Sequence, residues 1–351
     1  MYHSFRPGKI WYDTDGKPIQ AHGGSIIFSK NKFWWYGENK EGITGRATGS
    51  VCPFWHHGVK LYSSEDLYNW VDEGFAVRES TDPSNPFYPT HIMDRPHILY
   101  NKQNKQYVLW AKTARGDFGN ANFSVCIGKD LHDMQFLKTV DPAPFHAGDF
   151  DLIVLDEKAY IVYENPHDSM IVQELTEDYT SLSPKYSVHL QMESPPFVRE
   201  APAFLSNGNR HFLLTSGTTG YFPNPSEFAE IQTNIHKSWH TLGNACLNDF
   251  NNNSFHAQFS SIFRHPNKKN LYIALGDRWL RDLPEDLPDM CKVFHGLFND
   301  KAEKILADDQ LPQLTDDNTS EATYVWLPVR FRNDGTPYIS YSREWRTEDF
   351  D

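Results

Sequence analysis

Five similar units recur along this sequence, and each consists of an apolar strand, a polar turn and a second strand entered through an aromatic residue. These aromatic residues are Phe33, Tyr107, Tyr160, Phe212 and Tyr272. They are 74, 53, 52 and 60 residues apart, a period typical of proteins built from repeated small sheets. A sheet of this size cannot bury both faces alone, whereas sheets stacked around an axis bury one another. The repeats therefore predict an all-β fold, a five-bladed β-propeller.

The domain organisation follows from the same repeats. A sixth strand pair, at 323–342, is expected to close the ring where the two chain ends meet. No linker rich in Pro, Ser or Gly separates two halves, so residues 1–351 are expected to form a single domain. A β-sandwich with accidental regularity is the alternative architecture. The predicted blade cores lie near 20–40, 94–112, 148–164, 199–217 and 257–279.

Composition excludes several classes of protein. Aromatic residues make up 15% and charged residues 23% of the 351 residues, which is too apolar for a disordered chain. No apolar run approaches the roughly 20 residues of a membrane-spanning helix, so no membrane partner is expected. Lys and Arg number 33 against 46 Asp and Glu, and the net charge of −13 disfavours nucleic acid as a partner. Many rings together with many carboxylates suit neutral sugars.

Neither a cofactor nor a targeting segment is evident. The four cysteines are scattered with no CxxC or CxH spacing, and His256 has no partner at the spacing of a zinc ligand. We therefore predict no metal and no cofactor. The first residues, MYHSFRPGKIWYD, contain no apolar signal core. We expect a cytoplasmic protein, or a secreted or periplasmic one if a signal peptide has been removed.

A polar residue stands at the head of the first strand in each of the five repeats. Counted back from the aromatic residue of the second strand, these are His22, Asp94, Asp149, Glu200 and Gln258. Any one of them alone is equally explained as a strand cap or a solvated turn residue. In a propeller, however, the first strands surround the central channel, so equivalent positions converge on one mouth. The matched positions therefore predict a shared polar site.

Clustered carboxylates indicate the chemistry of that site. Neighbouring carboxylates separate one another's pKa values, so that one stays protonated as an acid at neutral pH. Paired carboxylates beside a sugar-sized pocket are the equipment of a glycoside hydrolase, in which one group protonates the departing glycosidic oxygen. The sequence offers no GxSxG elbow, no Walker loop and no GxGxxG after a strand.

The motifs resemble those of glycoside hydrolase family 43, the five-bladed propeller hydrolases, and within it most of all the exo-β-1,3-galactanase group. The resemblance runs from Ile19 to Pro328, and REAPAF and TSGTTGYFPN are its most specific segments. The other matching segments are IQAHGGSI, WWYGE, GVKLYSSEDLYNW, DRPHILYN, GDFDLIV, EKAYIVY, ALGDRW and YVWLPV.

The resemblance assigns roles to the residues of these motifs. It makes Glu200 the general acid, and Asp149 the carboxylate that tunes the acid's pKa and holds a sugar hydroxyl. Most of the family has an Asp base on the first blade, where this sequence has IQAHGG. In the galactanase group a Gln on the fifth blade is proposed to orient the water, and Gln258 matches it. Asp94 stands where Glu is usual, and a structural calcium occupies the channel in some relatives.

Further residues are candidates for substrate binding. Glu38, in WWYGE, binds sugar or forms a structural salt bridge, and Trp279 is a stacking platform or packs between blades. Trp55, in the insertion CPFWHHG, belongs to a pocket wall or to a surface loop. The full set of substrate-binding candidates is Asp94, Glu38, His22, Thr219, Gly220, Tyr221, Asn224 and Trp279.

Three hypotheses for function remain open at this point. The first is an inverting exo-glycoside hydrolase acting on β-1,3-linked galactan, with a polysaccharide or oligosaccharide as partner and a monomeric chain. The second keeps fold and reaction but changes the substrate to an arabinofuranoside, galactofuranoside or xyloside. Asp94 and Phe118 motivate it, because both depart from the expected sugar-contacting residues. The third is a non-catalytic sugar-binding propeller, motivated by the missing base on the first blade.

Overall fold

A computed structural model describes residues 1–42, 54–116, 120–231, 234–284, 287–305 and 318–351. Phe118, one of the two residues behind the second hypothesis, lies outside the described residues. Within the described chain, twenty-one strands form five separate sheets. No described helix is long and apolar enough to span a membrane.

Blades 1 to 3 are four-stranded antiparallel meanders. Blade 1 consists of β1 (His22–Ser29), β2 (Lys32–Glu38), β3 (Val59–Ser64) and β4 (Val71–Val77). Blade 2 consists of β5 (Ile92–Asn101), β6 (Gln106–Ala114), β7 (Asn122–Gly128) and β8 (Gln135–Val140). Blade 3 consists of β9 (Phe150–Leu155), β10 (Lys158–Asn165), β11 (Ser169–Leu175) and β12 (Leu182–His189).

Blades 4 and 5 complete the ring. Blade 4 consists of β13 (Arg199–Asn207), β14 (Arg210–Gly217), β15 (Glu227–Ile231) and β16 (Trp239–Asn244). The strands of blade 5 are β17 (Cys246–Leu247), β18 (Gln258–Arg264), β19 (Tyr272–Arg278), β20 (Thr323–Phe331) and β21 (Pro337–Ser340). β17 pairs in parallel with β21 at the outer edge. The sixth strand pair of the sequence thus supplies the outer half of blade 5.

The first strands of the blades contact one another in a closed ring. β1 contacts β5, β5 contacts β9, β9 contacts β13, β13 contacts β18, and β18 returns to β1. This closed order confirms the predicted five-bladed β-propeller and rules out a sandwich. Because all five first strands surround the axis, residues at their starts share one end of the channel.

Tight two-residue turns keep the strand register. Lys30 and Asn31, between β1 and β2, have φ of 51° and 60°, and Asp156 and Glu157 repeat this between β9 and β10 with 47° and 64°. Two successive residues with positive φ form the turn type whose twist matches that of paired strands. A fixed register keeps each inward-facing residue inward, because a slip of one position would reverse every side chain.

Aromatic side chains join blade 1 to blade 5, where the chain ends meet. Phe5 forms a β-bridge with Trp345, and their rings stack at 4.1 Å. Trp326 accepts a hydrogen bond at its carbonyl from the Trp345 indole at 2.9 Å. Trp11 and Trp70 pack into the same buried cluster. Both chain ends therefore pack at the junction that closes the ring.

Among the described residues, one α-helix interrupts the β-structure, and no sequence pattern above predicts it. Helix α1 (Met290–Phe298) lies in the insertion between β19 and β20. Its N-cap, Asp289, accepts a hydrogen bond from the backbone of Lys292. Its buried face, which includes Phe294, packs with Trp279 in a hydrophobic cluster at the channel mouth. Short 3-10 helices occur at Thr319–Glu321 and Thr347–Asp349.

Candidate active site

A cavity of about 700 Å³ opens where the first strands begin. Asp94, Asp149, Glu200 and Gln258, which come from four different blades, all line it. The structure therefore brings together four of the five residues that the repeat alignment singled out. The volume of the cavity lies within the range of roughly 300–1,000 Å³ that small-molecule sites occupy.

Irregular backbone at the strand starts presents these residues to the cavity. His22, Asp94 and Glu200 each precede a β-bulge in the pairing of their strand with the next. The following residues have φ of 60° at Gly23, 53° at Arg95 and 47° at Ala201. Bulges bend the strand and change the direction of a side chain, and they are frequent beside active sites. Three blades thus repeat one local device at the channel mouth.

Glu200 lies in direct contact with Gln258. The Gln258 amide donates from Nε2 to Glu200 Oε1 at 2.8 Å and to Ser216 Oγ at 3.0 Å. Its Oε1 accepts from Arg95 Nη2 at 2.6 Å and from the Trp279 indole at 3.0 Å. These four contacts fix the orientation of the amide. The structure therefore places the predicted water-orienting residue against the predicted acid, without the gap for a water that the sequence suggested.

Asp149 is held in its ionised form. Lys112 Nζ lies 2.9 Å from Asp149 Oδ1, and Arg95 Nη2 lies 2.8 Å from Oδ2. Burial alone would raise the pKa of Asp149, but the two cations outweigh it and hold that pKa well below its ordinary value. A permanent negative charge therefore lies on the cavity floor.

Glu200 has the opposite tendency. Burial raises its pKa well above the ordinary value of a glutamate, and the negative charges of Glu164 and Asp149 raise it further. Arg95 and Lys112 counteract this only in part. The cavity thus holds a carboxyl that retains its proton beside one that has lost it, the division of roles that acid catalysis requires.

Asp94 has both carboxylate oxygens engaged. The Trp55 indole donates to Oδ1 at 2.8 Å, and Lys112 Nζ lies 3.1 Å from Oδ2. Trp55 lines the cavity, so this residue of the insertion CPFWHHG contributes to the wall. The side chain of Asp94, which is shorter than that of a glutamate, is thus held between Trp55 in the wall and Lys112 in the floor.

Glu38 also lines the cavity and forms an ion pair. Its Oε1 accepts from the backbone N–H of Arg95 at 3.0 Å, and Lys40 Nζ lies 3.0 Å from Oε2. Burial raises the pKa of Glu38 to about 7, while Lys40 opposes the rise and Asp94 adds to it. The salt-bridge and sugar-binding interpretations of this residue are therefore compatible.

Three charged residues of the floor escaped the sequence analysis: Arg95, Lys112 and Glu164. Strand pairing shows the signal that would have found two of them. Lys112 lies opposite Asp94 in the β5–β6 pair, and the backbone N–H of Glu164 donates to the Asp149 carbonyl at 2.8 Å. Burial, followed by the charge of Asp149, raises the pKa of Glu164 to about 7. Residues of the second strands that lie opposite the residues of the repeat alignment thus add further charges to the cavity floor.

His22 does not reach the cavity. It is fully buried, its Nδ1 lies 3.0 Å from Asp277 Oδ1, and its ring stacks on Tyr324 at 5.0 Å. The cavity lining does not include it. Its place in the structure is that of a positioning residue between blades 1 and 5.

The four substrate-binding candidates in the loop after β14 fall into two groups. Gly220 and Tyr221 line the cavity, whereas Thr219 and Asn224 are buried behind it. Asn224 Nδ2 donates to the Gly217 carbonyl at 2.8 Å and to Thr219 Oγ1 at 2.7 Å. Thr219 and Asn224 therefore hold the shape of the loop that presents the other two.

Aromatic and aliphatic side chains form the upper wall. Trp279 lines the cavity, packs against Tyr221 at 5.5 Å between ring centroids, and donates its indole N–H to Gln258. Trp279 therefore both packs and orients a polar group. Three further apolar wall residues come from helix α1: Phe294, Leu297 and Phe298.

Among the residues that the structure describes, no group of three His, Cys, Asp or Glu side chains is arranged to hold a metal ion. No step below uses the channel calcium that the resemblance suggested.

The propeller and its two carboxyls of opposite protonation define a protein of the glycoside-hydrolase class. The profile of glycosyl hydrolases family 43 matches residues 25–275, so this chain belongs to that family. No curated protein sequence is significantly similar to it.

Solved structures of the family share the fold along nearly the whole chain. A family 43 β-1,3-galactosidase is 26% identical with a TM-score of 0.79, and the match covers 99% of this chain but 64% of that one. A second family 43 β-1,3-galactosidase, solved with galactodeoxynojirimycin, is 24% identical with a TM-score of 0.77, covering 97% of this chain and 100% of the other. An exo-β-1,3-galactanase from Phanerochaete chrysosporium, solved with β-1,3-galactotriose, is 21% identical with a TM-score of 0.76, covering 98% and 68%. The chain thus spans less than two thirds of the first of these proteins.

Proposed function

We propose that this chain is an inverting exo-glycoside hydrolase that acts on β-1,3-linked galactan. The observation that carries the proposal is the cavity floor, where a carboxyl with a strongly raised pKa, Glu200, neighbours the ionised Asp149. Family 43 membership supports the reaction class, and the galactosidase and galactanase names of similar structures support the sugar. Residues of this one chain enclose the cavity, so we expect it to act as a monomer.

Glu200 supplies the proton in this mechanism. A glycosidic oxygen is a poor leaving group unless it is protonated as the bond to the anomeric carbon breaks. The raised pKa keeps that proton on Glu200 near neutral pH, and the bulge at Ala201 presents the side chain to the cavity. Asp149 keeps its charge because Arg95 and Lys112 surround it, and this charge favours the protonated form of Glu200.

The carboxylate contacts favour inversion of the anomeric configuration. A retaining enzyme needs an ionised carboxylate with an oxygen free to bond to the anomeric carbon. Both oxygens of Asp149 are held by cations, and both oxygens of Asp94 are held by Trp55 and Lys112. Water is then the nucleophile. Gln258 is the group that orients it, and this requires a sugar to enter between Gln258 and Glu200 and separate their present contact.

The walls favour attack on chain ends. Helix α1 and the loop after β14 stand on the upper side of the cavity, and Trp55 contributes a further part of the wall. A walled pocket accepts a terminal sugar, whereas internal cleavage needs a groove open at both ends. The aromatic rings of the upper wall suit the apolar face of a sugar ring.

Incubation with β-1,3-galactan tests the proposal. We expect galactose as the first product, released as the α-anomer and recorded by proton NMR before mutarotation. Release of the β-anomer would contradict inversion and the role of Gln258. Binding of galactan oligosaccharides without any turnover, even after long incubation, would favour the non-catalytic propeller instead.

One observation favours a different sugar for the same reaction. Asp94 stands where the family usually has Glu, and its two oxygens are already used by Trp55 and Lys112. A hydroxyl contact made by the longer residue would be lost or would need a bridging water. Aryl glycosides of galactopyranose, arabinofuranose, galactofuranose and xylose, assayed in parallel, decide between the substrates. The highest kcat/KM on galactopyranose is the expected result.

A further inference from the structure

The cavity changes character from floor to mouth. The floor groups Asp149, Glu164 and Gln258 are buried and polar. The exposed residues of the described lining are Pro166, His167, Gly220 and Phe298. Of these four, Phe298 alone carries an aromatic hydrocarbon ring, and 46% of the residue is exposed to solvent. A ring exposed at the entrance of a polar pocket is available to pack against a ligand that enters it.

Two separate parts of the fold fix this ring at the entrance. Phe298 is the last residue of helix α1, whose Met290, Val293 and Phe294 are buried against the wall. His167 lies in the turn between β10 and β11 of blade 3, and its ring forms a T-shaped pair with Phe298, with 4.9 Å between ring centroids and an interplanar angle of 76°. The insertion of blade 5 thus reaches across to blade 3, and Phe298 and His167 meet at the mouth.

The turn that carries His167 has an unusual backbone. His167 has φ of 62°, in the left-handed region that side chains other than glycine seldom adopt. Asp168 supports the turn, since its backbone N–H donates to the Asn165 carbonyl and its carboxylate accepts from Ser169 Oγ at 2.6 Å. The imidazole is therefore held at the rim by its turn, where it can exchange a hydrogen bond with a ligand hydroxyl.

We propose that Phe298 and His167 form the binding subsite for the leaving-group sugar, the second residue from the end of a β-1,3-linked chain. The inference rests on the proposed function and adds the residues that recognise more than one sugar. When the terminal sugar occupies the floor, its glycosidic oxygen faces Glu200, and the next sugar extends toward the mouth. There the apolar C–H face of that sugar packs on the Phe298 ring, and a hydroxyl reaches His167.

Binding measured in a Glu200→Gln parent tests the subsite without turnover. Isothermal titration calorimetry gives the affinities for galactose and for β-1,3-galactobiose, and the ratio of the two measures the subsite. We expect the parent to prefer galactobiose. Phe298→Ala is expected to lower the ratio by roughly threefold to tenfold, since ring stacking contributes about that much. Phe298→Tyr keeps the ring and should keep the ratio, as should Phe250→Ala, which removes a ring that is 91% exposed elsewhere.

Two results would overturn the subsite: equal affinity of the parent for both sugars, or an unchanged ratio in Phe298→Ala. Failure of the proposed function has a different signature, in which the unaltered chain binds galactobiose yet releases no galactose. A kinetic ratio provides the second readout. Phe298→Ala should lower kcat/KM for galactobiose relative to β-galactosyl fluoride, because fluoride leaves without occupying the mouth.

Discussion

Asp149 is a buried and Glu200 a half-buried carboxyl of one cavity, yet their neighbours drive their pKa values in opposite directions. Asp149 has two cations in contact, whereas Glu200 contacts the neutral amide of Gln258 and has Glu164 and Asp149 as charged neighbours. Charge–charge interactions are strong where water is excluded, so these contacts decide which group keeps its proton.

Replacing the proton donor gives the most direct prediction. Glu200→Gln should lower kcat on β-1,3-galactan by about 10²–10⁴-fold, the contribution of a general acid. Aryl galactosides with activated leaving groups should lose less, because such a leaving group hardly needs the proton. Steady-state kinetics on both kinds of substrate measure the difference. An equal loss on both would exclude Glu200 as the acid.

The pH dependence tests Glu164. Glu200 works while protonated, so activity falls as pH rises through its pKa, and the negative charge of Glu164 moves that fall to higher pH. Glu164→Gln removes the charge, so the basic limb of the kcat/KM profile should shift to lower pH. Glu174→Gln is the control, since Glu174, on β11 of blade 3, pairs with Lys158 and Lys185 and does not line the cavity. A basic limb that stays in place, or moves to higher pH, would contradict the coupling.

Strand β13 illustrates how one element positions chemistry. It begins with a bulge between Glu200 and Ala203, and Ala201 has φ of 47°. An ordinary extended strand would direct Glu200 along the regular alternation of a sheet, whereas the bulge changes that direction. Blade 1 has glycine at the matching position, Gly23, where the left-handed backbone has no steric cost.

Two substitutions of Ala201 test whether the left-handed backbone at the bulge positions Glu200. Ala201→Gly should change the free energy of unfolding by less than about 1 kcal/mol, because glycine accepts this conformation. Ala201→Val should cost about 1–3 kcal/mol and lower kcat, since a β-branched residue is strained there and the strand start must shift. Denaturant unfolding and kcat measure both effects. If the two variants have the same free energy of unfolding and the same kcat, the bulge does not position Glu200.

The ring as a whole depends on the junction between blades 1 and 5. Among the described strands, none from one chain end pairs within the blade of the other, and side-chain packing together with the Phe5–Trp345 bridge helps to close the circle. Trp345 is central to this junction, because it stacks on Phe5 and donates to the Trp326 carbonyl.

Trp345→Ala should therefore destabilise the protein by about 3–5 kcal/mol, the usual cost of removing a large buried aromatic side chain. Phe250→Ala, at a ring that is 91% exposed, should change stability by about 0.5 kcal/mol or less. Chemical denaturation followed by tryptophan fluorescence and circular dichroism measures both variants. A loss below about 1 kcal/mol for Trp345→Ala would show that other contacts close the ring.

The repeat of strands and turns, the number of blades and the four cavity residues of the repeat alignment were all accessible from the sequence. Strand alternation and turn residues act locally, and a repeat turns matched sequence positions into neighbours around one axis. His22 followed the same register yet lies outside the cavity, because Asp277 and Tyr324 bury its ring. The matched strand positions therefore predicted which residues lie near the channel mouth. They did not predict which of those side chains line the cavity.

The cationic floor, the contact between Gln258 and Glu200, and the position of helix α1 emerged only from the folded chain. Arg95, Lys112 and Glu164 meet side chains of other blades, and no local pattern records which distant side chain a residue will face. A residue with left-handed backbone after a strand start changes the direction of the neighbouring side chain. The repeat period does not reveal such a residue here, because Arg95 and Ala201 are not glycines. Local propensity thus set the blades, whereas packing between blades set the protonation states on which the chemistry depends.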